Sequence, residues 1–200
     1  MKKLFIIIAT LMLCACFNDQ SSIKTHNQTA RIDNDTVAQY TPSKSQTEEY
    51  ISRVGKRVTL VSNSPSTNYN FRVINTEELN LDINRETHTI SISEGLLQQL
   101  NNEAELATVL LLSVLRIDHS INLDRDTATF LSRAGYDPRA MLDLQEQYFH
   151  TANKKQNHWM QIIYPVAPSA GTIISNKIML EKMPKGLARD EEDYKRQING

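Results

Sequence analysis

Apolar and polar positions follow several distinct rhythms along this chain. Tyr50, Ile51, Val54, Val58 and Val61 recur at helical spacing, which predicts a first helix over 46–62. Asn63-Ser64-Pro65-Ser66 ends it. Asn70 to Ile74, with alternating Phe71 and Val73, reads as a short strand. His88 to Ser93 alternates strictly, with Ile90 and Ile92 on one face and Thr89, Ser91 and Ser93 on the other, the pattern of a half-buried strand. Gly95 to Leu100 begins a helical turn, and Asn102-Glu103-Ala104-Glu105 opens a longer helix with acids at its positive end. From Leu106 to Leu115 that helix is apolar except for Thr108 and Ser113. A helix that is apolar all round has to be buried on nearly every side, so this is the expected centre of the domain. A further helix over 123–133 stops at Gly135, expected as a left-handed cap, and Asp137-Pro138 restarts the chain as N-cap and first helical residue. Met141, Leu144 and Tyr148 form one apolar stripe, 151–170 reads as loop, and a last helix covers 172–183. The tail from Arg189 to Arg196 mixes charge signs and reads as solvated surface. These elements predict an α+β fold that is mostly helical.

The first residues follow different rules. Lys2 and Lys3 precede the apolar run Leu4 to Leu13, which is too short to span a bilayer and suits the core of a signal peptide. Leu13-Cys14-Ala15-Cys16 resembles a bacterial lipobox. That resemblance implies removal of residues 1–15, lipidation of Cys16, and a membrane anchor worth about 0.8 kcal/mol per buried methylene. The alternative is a plain secretory signal with an incidental cysteine. Phe17 to Ser45 is rich in Asn, Gln, Ser, Thr and Asp without periodicity, so 16–45 is expected to be a lipidated cysteine and flexible tether, with the folded domain at 46–200. Phe17, not Asp, follows Cys16; by resemblance to the enterobacterial sorting rule this favours the outer membrane, facing the periplasm.

Composition narrows the classes further. The chain has 200 residues, 22 Lys+Arg against 23 Asp+Glu, and a mean hydropathy of −0.42. A polytopic membrane protein and a strongly basic nucleic-acid binder are excluded. Cys14 and Cys16 are the two cysteines, which excludes a disulfide framework and a Cys-ligated zinc site. Loss of Cys14 and lipidation of Cys16 would leave no free thiol, which suits an oxidising envelope compartment.

Three segments together carry a resemblance. Gly95-Leu96-Leu97, the run Ala104-Glu105-Leu106-Ala107-Thr108-Val109-Leu110, and Ala134-Gly135-Tyr136-Asp137-Pro138-Arg139-Ala140-Met141 are similar to the HtpX/Oma/BepA-type zinc metallopeptidases, peptidase family M-forty-eight. Val73 to Asn80 and Pro184 to Tyr194 resemble flanking parts of the same family. The similarity covers about residues 46–196 and implies a zincin-like domain, with a small sheet against the buried central helix.

A zincin needs two imidazoles four residues apart, a Glu beside the first as general base, and a third ligand. By the family's register the first His position holds Leu112, the base position Ser113, and the second His position Arg116. The third-ligand position holds Asn122, two residues before Asp124, and the family's downstream His-Pro aligns with Tyr164-Pro165. Leu112 offers no lone pair, and Arg116 keeps its charge and would repel a cation. Burial of Leu111, Leu112 and Leu115 contributes roughly 1.5–3 kcal/mol each. The expectation is therefore a catalytically inactive pseudo-peptidase with no metal and no cofactor. Arg116 is expected to form a structural ion pair with Asp124 or Asp126.

The five histidines, His26, His88, His119, His150 and His158, include no pair four residues apart and read as scattered surface residues. Asp118-His119 with Asp124 could form a polar cluster at the end of the central helix. Ser113 has no His or Lys partner on its helix face, so a serine nucleophile is not expected. The remaining functional candidate is the Thr89, Ser91, Ser93 face, expected to lie on an edge strand that adds an extended peptide. The expected function is non-catalytic binding of an envelope protein or peptide through a vestigial cleft, in outer-membrane assembly or quality control as the family implies, with no nucleic-acid partner. The rival is an active zinc metalloendopeptidase with a non-standard site. A third reading is a structural lipoprotein without a client.

Overall fold

The computed structural model describes residues 44–151, 158–186 and 190–199. Cys14, Cys16, His26, the segment expected as a tether up to residue 43, and Arg189 lie outside the described residues. The fold is α+β and mostly helical, in the order α1 (Lys44–Thr59), β1 (Asn70–Ile74), β2 (Leu81–Asn84), β3 (Thr89–Ser93), α2 (Glu94–Gln99), α3 (Glu103–Ile117), α4 (Leu123–Arg133), α5 (Arg139–Thr151), α6 (His158–Ile163), α7 (Ala170–Glu181) and α8 (Glu191–Asn199). Lys44 and Ser45, read as the end of the tether, already belong to α1. Among the described residues no helix is long and apolar enough to cross a membrane.

Helix α3 is the centre, as its nearly continuous apolar run requires. Every residue from Ala104 to Leu115 is buried, and α1, α4, α5 and α6 pack around it. Its two hydroxyls cost little there, because each bonds back into its own helix. Thr108 Oγ1 donates to Ala104 O at 2.7 Å and Ser113 Oγ to Val109 O at 2.8 Å. The start is doubly capped. Asn102 Oδ1 accepts from Glu105 N–H, and the Glu105 carboxylate reaches back to Asn101 N–H at 2.8 Å. The end turns on His119, whose φ of 55° is left-handed, and Ser120 N–H closes onto Leu115 O.

The sheet corrects one expectation directly. Its order is β1-β3-β2, with β1 parallel and β2 antiparallel to β3. The strand carrying Thr89, Ser91 and Ser93 is therefore central, with its main-chain groups engaged by a neighbour on each side, and it cannot receive a peptide as an edge strand. Ser93 is also fully buried: its Oγ caps α2 at Leu96 N–H and accepts from Asn80 N–H. The missing piece was β2, whose four residues include Asp82 and Asn84 and give too short an alternation to read. Gly95 explains the start of the Gly-Leu-Leu turn. A Cβ there would stand 2.0 Å from Glu77 O, while Leu96 and Leu97 are fully buried.

Two further segments depart from the expected reading. The stretch taken as loop contains α6, which buries Trp159, Met160 and Ile163 between α3 and β2. The tail taken as solvated surface forms α8, with Tyr194 buried and its hydroxyl donating to Leu97 O at 2.6 Å. Lys195 Nζ reaches Gln98 O and Leu100 O. Helix α2 is short, and its last carbonyls lack partners within the helix; α8 supplies them.

Candidate functional site

The positions that the family register assigns to metal chemistry separate in space. Leu112 and Ser113 are fully buried in the core, and the Ser113 hydroxyl is spent on Val109 O. Arg116 is half-buried, with its Nε enclosed and without a hydrogen-bond partner. Asn122 is exposed just before α4 and makes no side-chain cap to it. Asn122 and Tyr164 come together on one groove of about 600 Å³ at the start of α4; Leu112, Ser113 and Arg116 do not line it. These side chains do not fit a zinc ion: one has no donor atom, one is a cation, and the Asn122 amide is a weak neutral ligand.

The expected ion pair is corrected too. Among the described residues Arg116 pairs with neither Asp124 nor Asp126. Both carboxylates have neutral partners instead. Asp126 Oδ2 accepts from Ser120 Oγ at 2.5 Å. Asp124 accepts from Gln145 Nε2 at 2.9 Å and from Asn176 Nδ2 at 2.8 Å. Gln145 Nε2 also donates to Tyr164 Oη at 3.1 Å, and Asn176 Nδ2 to Gln145 Oε1 at 2.8 Å. Asp124, Gln145, Asn176 and Tyr164 thus form one closed network that ties α4, α5, α7 and the 164–168 turn together. Burial, followed by the nearby Asp124 charge, raises the Tyr164 phenol above the ordinary tyrosine range, so it stays a neutral hydroxyl. Sequence reasoning found Asp124 and Tyr164 but missed Gln145 and Asn176, which no spacing rule connects to them.

The groove above this network has apolar walls. Leu123, Pro165 and Met179 line it, and Ile121 and Val166 stand at 94% and 83% exposure. A smaller cavity of about 350 Å³ continues it past Val166, Ala167 and Pro168 towards Ser169 and Thr172. Exposed branched aliphatics beside a polar floor give this groove room and chemistry for one apolar side chain.

The Ala-Gly-Tyr-Asp-Pro-Arg segment is structural in every residue that can be followed. Gly135 takes φ 85° as the expected left-handed cap, with Tyr136 N–H on Leu131 O and Gly135 N–H on Ser132 O. Tyr136 Oη donates to Glu103 Oε1 at 2.7 Å, while Tyr50 Oη takes Glu103 Oε2 at 2.8 Å. Asp137 Oδ1 accepts from Arg139 N–H at the start of α5. Arg139 also bonds Leu180 O and Met183 O at the end of α7.

The polar candidates around the end of α3 are dispersed. Asp118 accepts from Tyr69 Oη at 2.5 Å, and His119 serves the turn rather than Asp124. His88 sits edge-on to Tyr69, His150 lies in the last turn of α5, and His158 opens α6. In comparisons with known proteins, no family model matches this chain and no curated protein matches it.

Proposed function

We propose that this chain is a catalytically inactive, metallopeptidase-like lipoprotein of the bacterial cell envelope that binds a protein or peptide through the groove at Asn122 and Tyr164. The zincin-like reading rests on the Gly-Leu-Leu turn, the buried Ala-Glu-Leu-Ala run on α3, and the Ala-Gly-Tyr-Asp-Pro-Arg-Ala-Met segment. Loss of catalysis rests on one observation above the others: Leu112 and Ser113 are sealed in the core, with the serine hydroxyl bonded to its own helix. Zinc chemistry at these positions would need donor atoms open to a shared space. The client-binding reading rests on Ile121 and Val166, which leave apolar surface open above a hydrogen-bonded polar floor.

In this reading Cys16 carries the lipid, the segment up to residue 43 is the tether, and the groove faces the periplasm from the outer membrane. Metal analysis of the purified chain separates it from the rival metalloendopeptidase. Substoichiometric zinc and no chelator-sensitive proteolysis are expected; stoichiometric zinc with chelator-sensitive cleavage would establish the rival. Membrane fractionation of Cys16→Ser checks the anchor, with release into the soluble fraction expected. A photocrosslinking residue at Val166 is expected to capture an envelope protein, and the same residue at exposed Glu146 is not. Equal labelling from both positions would remove the groove from the proposal.

A further inference from the structure

A second groove, of about 940 Å³, lies between α1 and β1 and shares no lining residue with the groove at Asn122. It runs beside α1 from Glu48 to the turn at Leu60 just after it, a length of about 18 Å. An extended chain of about five or six residues has the same length. One wall is the free edge of the sheet, because β1 pairs with β3 on one side and stands at the end of the order. Asn70 N–H bonds inward to His88 O. In a parallel ladder the main-chain groups then alternate, so those of Phe71 and Val73 face outward. A carboxylate already occupies part of this edge: Glu48 Oε1 accepts from Val73 N–H at a long 3.3 Å.

Charge gives the groove its preference. Arg53, Lys56, Arg57 and Arg72 line it against Glu48 and Glu49, four cations to two acids. Two of the cations are held in place. Arg53 lies 5.2 Å over the Tyr50 ring, and Arg57 lies 4.8 Å over Tyr136 while its Nε bonds Ala134 O. Ordered guanidinium groups lose less entropy on binding an anion. We propose that this groove docks an extended acidic peptide segment, which adds to β1 as a fourth strand, exchanges its own carbonyl for Glu48 at Val73 N–H, and lays its carboxylates against Arg53, Lys56, Arg57 and Arg72. This site is separate from the groove of the proposed function and does not depend on it.

The test titrates isotope-labelled full chain with the peptide acetyl-Thr-Glu-Val-Glu-Val-Glu-Thr-amide and follows backbone amide shifts. Saturable shifts centred on Tyr69 to Val73 and on the facing turns of α1 are expected. The double variant Arg53→Gln, Lys56→Gln removes two of the four cations, and it should weaken binding at least tenfold while far-ultraviolet dichroism and the amide spectrum away from the groove stay those of the folded chain. N-methylation of alternate peptide bonds should abolish binding, since it removes strand donors and leaves the charges. The Lys-for-Glu peptide should not bind. Absence of shifts at about 1 mM peptide would overturn the proposal and leave Glu48 and Arg72 as guards of an edge closed to pairing. Undiminished binding of the methylated peptide would overturn strand addition. Shifts at Asn122 and Val166 instead would overturn this site while supporting the other groove.

Discussion

Arg116 sets two physical terms against each other. It stands in the last turn of α3, where a cation gains up to about 1 kcal/mol from the helix carbonyl end. Its enclosed Nε has no partner, which costs about 1–3 kcal/mol. The second term is the larger, because among the described residues Arg116 forms no ion pair that would offset it. Arg116→Met keeps the stem volume and removes the orphaned donor, so urea unfolding should show stability unchanged or raised by about 1–2 kcal/mol. A loss of about 3–5 kcal/mol, the signature of a broken buried pair, would show that this balance is wrong. Leu112 and Ser113 belong to the same logic. Each has adopted the local chemistry of a buried helix, one by apolar burial and the other by bonding to the carbonyl four residues back.

Helix α8 is held by the element it completes. Alone its nine residues would be marginal in water. Tyr194 and Lys195 meet the unpartnered carbonyls of α2, and the Tyr194 ring is almost wholly enclosed. Tyr194→Phe keeps the packing and leaves Leu97 O without this donor, so chemical denaturation should show a loss of about 1–2 kcal/mol. Tyr194→Ala also leaves a cavity and should cost about 3–5 kcal/mol. Equal effects of the two variants would mean that the ring contributes nothing beyond its hydroxyl. The same dependence explains why the tail read as solvated. Glu191, Glu192, Asp193 and Arg196 are exposed, and one buried tyrosine among them carries no periodic signal.

Across the whole molecule, burial raises five phenols above the ordinary tyrosine range: Tyr50, Tyr69, Tyr136, Tyr164 and Tyr194. Glu103 adds to the rise at Tyr50 and Tyr136, Asp118 at Tyr69, Asp124 at Tyr164, and Glu105 with Glu103 at Tyr194. The sign follows from proton counting. An unfolded tyrosine loses its proton near pH 10, whereas these remain protonated while folded. Their contribution is therefore complete below about pH 10 and is lost as pH rises, by up to about 1.4 kcal/mol per pH unit for each. One unit above pH 10 the two most deeply enclosed phenols, Tyr164 and Tyr194, together lose roughly 3 kcal/mol, a large part of a domain's stability, and the other three add less because solvent screens them. Cooperative alkaline unfolding is expected as pH rises beyond about 10, with tyrosinate absorbance and loss of near-ultraviolet dichroism in a single transition. Tyrosinate appearing near pH 10 with the dichroism intact would contradict it.

Local order was written in the chain itself. Period and capping depend on neighbours a few residues apart, so the burial of α3, the extent of α4, the left-handed Gly135 and the Asp137 start of α5 could all be read before any coordinates. Pairing across long stretches could not. β3 and an edge strand share the same alternation, and only the short β2 beside it makes β3 central. Asp124 finds Gln145 and Asn176, Glu103 finds Tyr50 and Tyr136, and Tyr194 finds Leu97 because packing around α3 brings distant segments within hydrogen-bond reach. The two grooves belong to this second kind. Each is a space left between elements, and a space has no residue of its own from which it could be read.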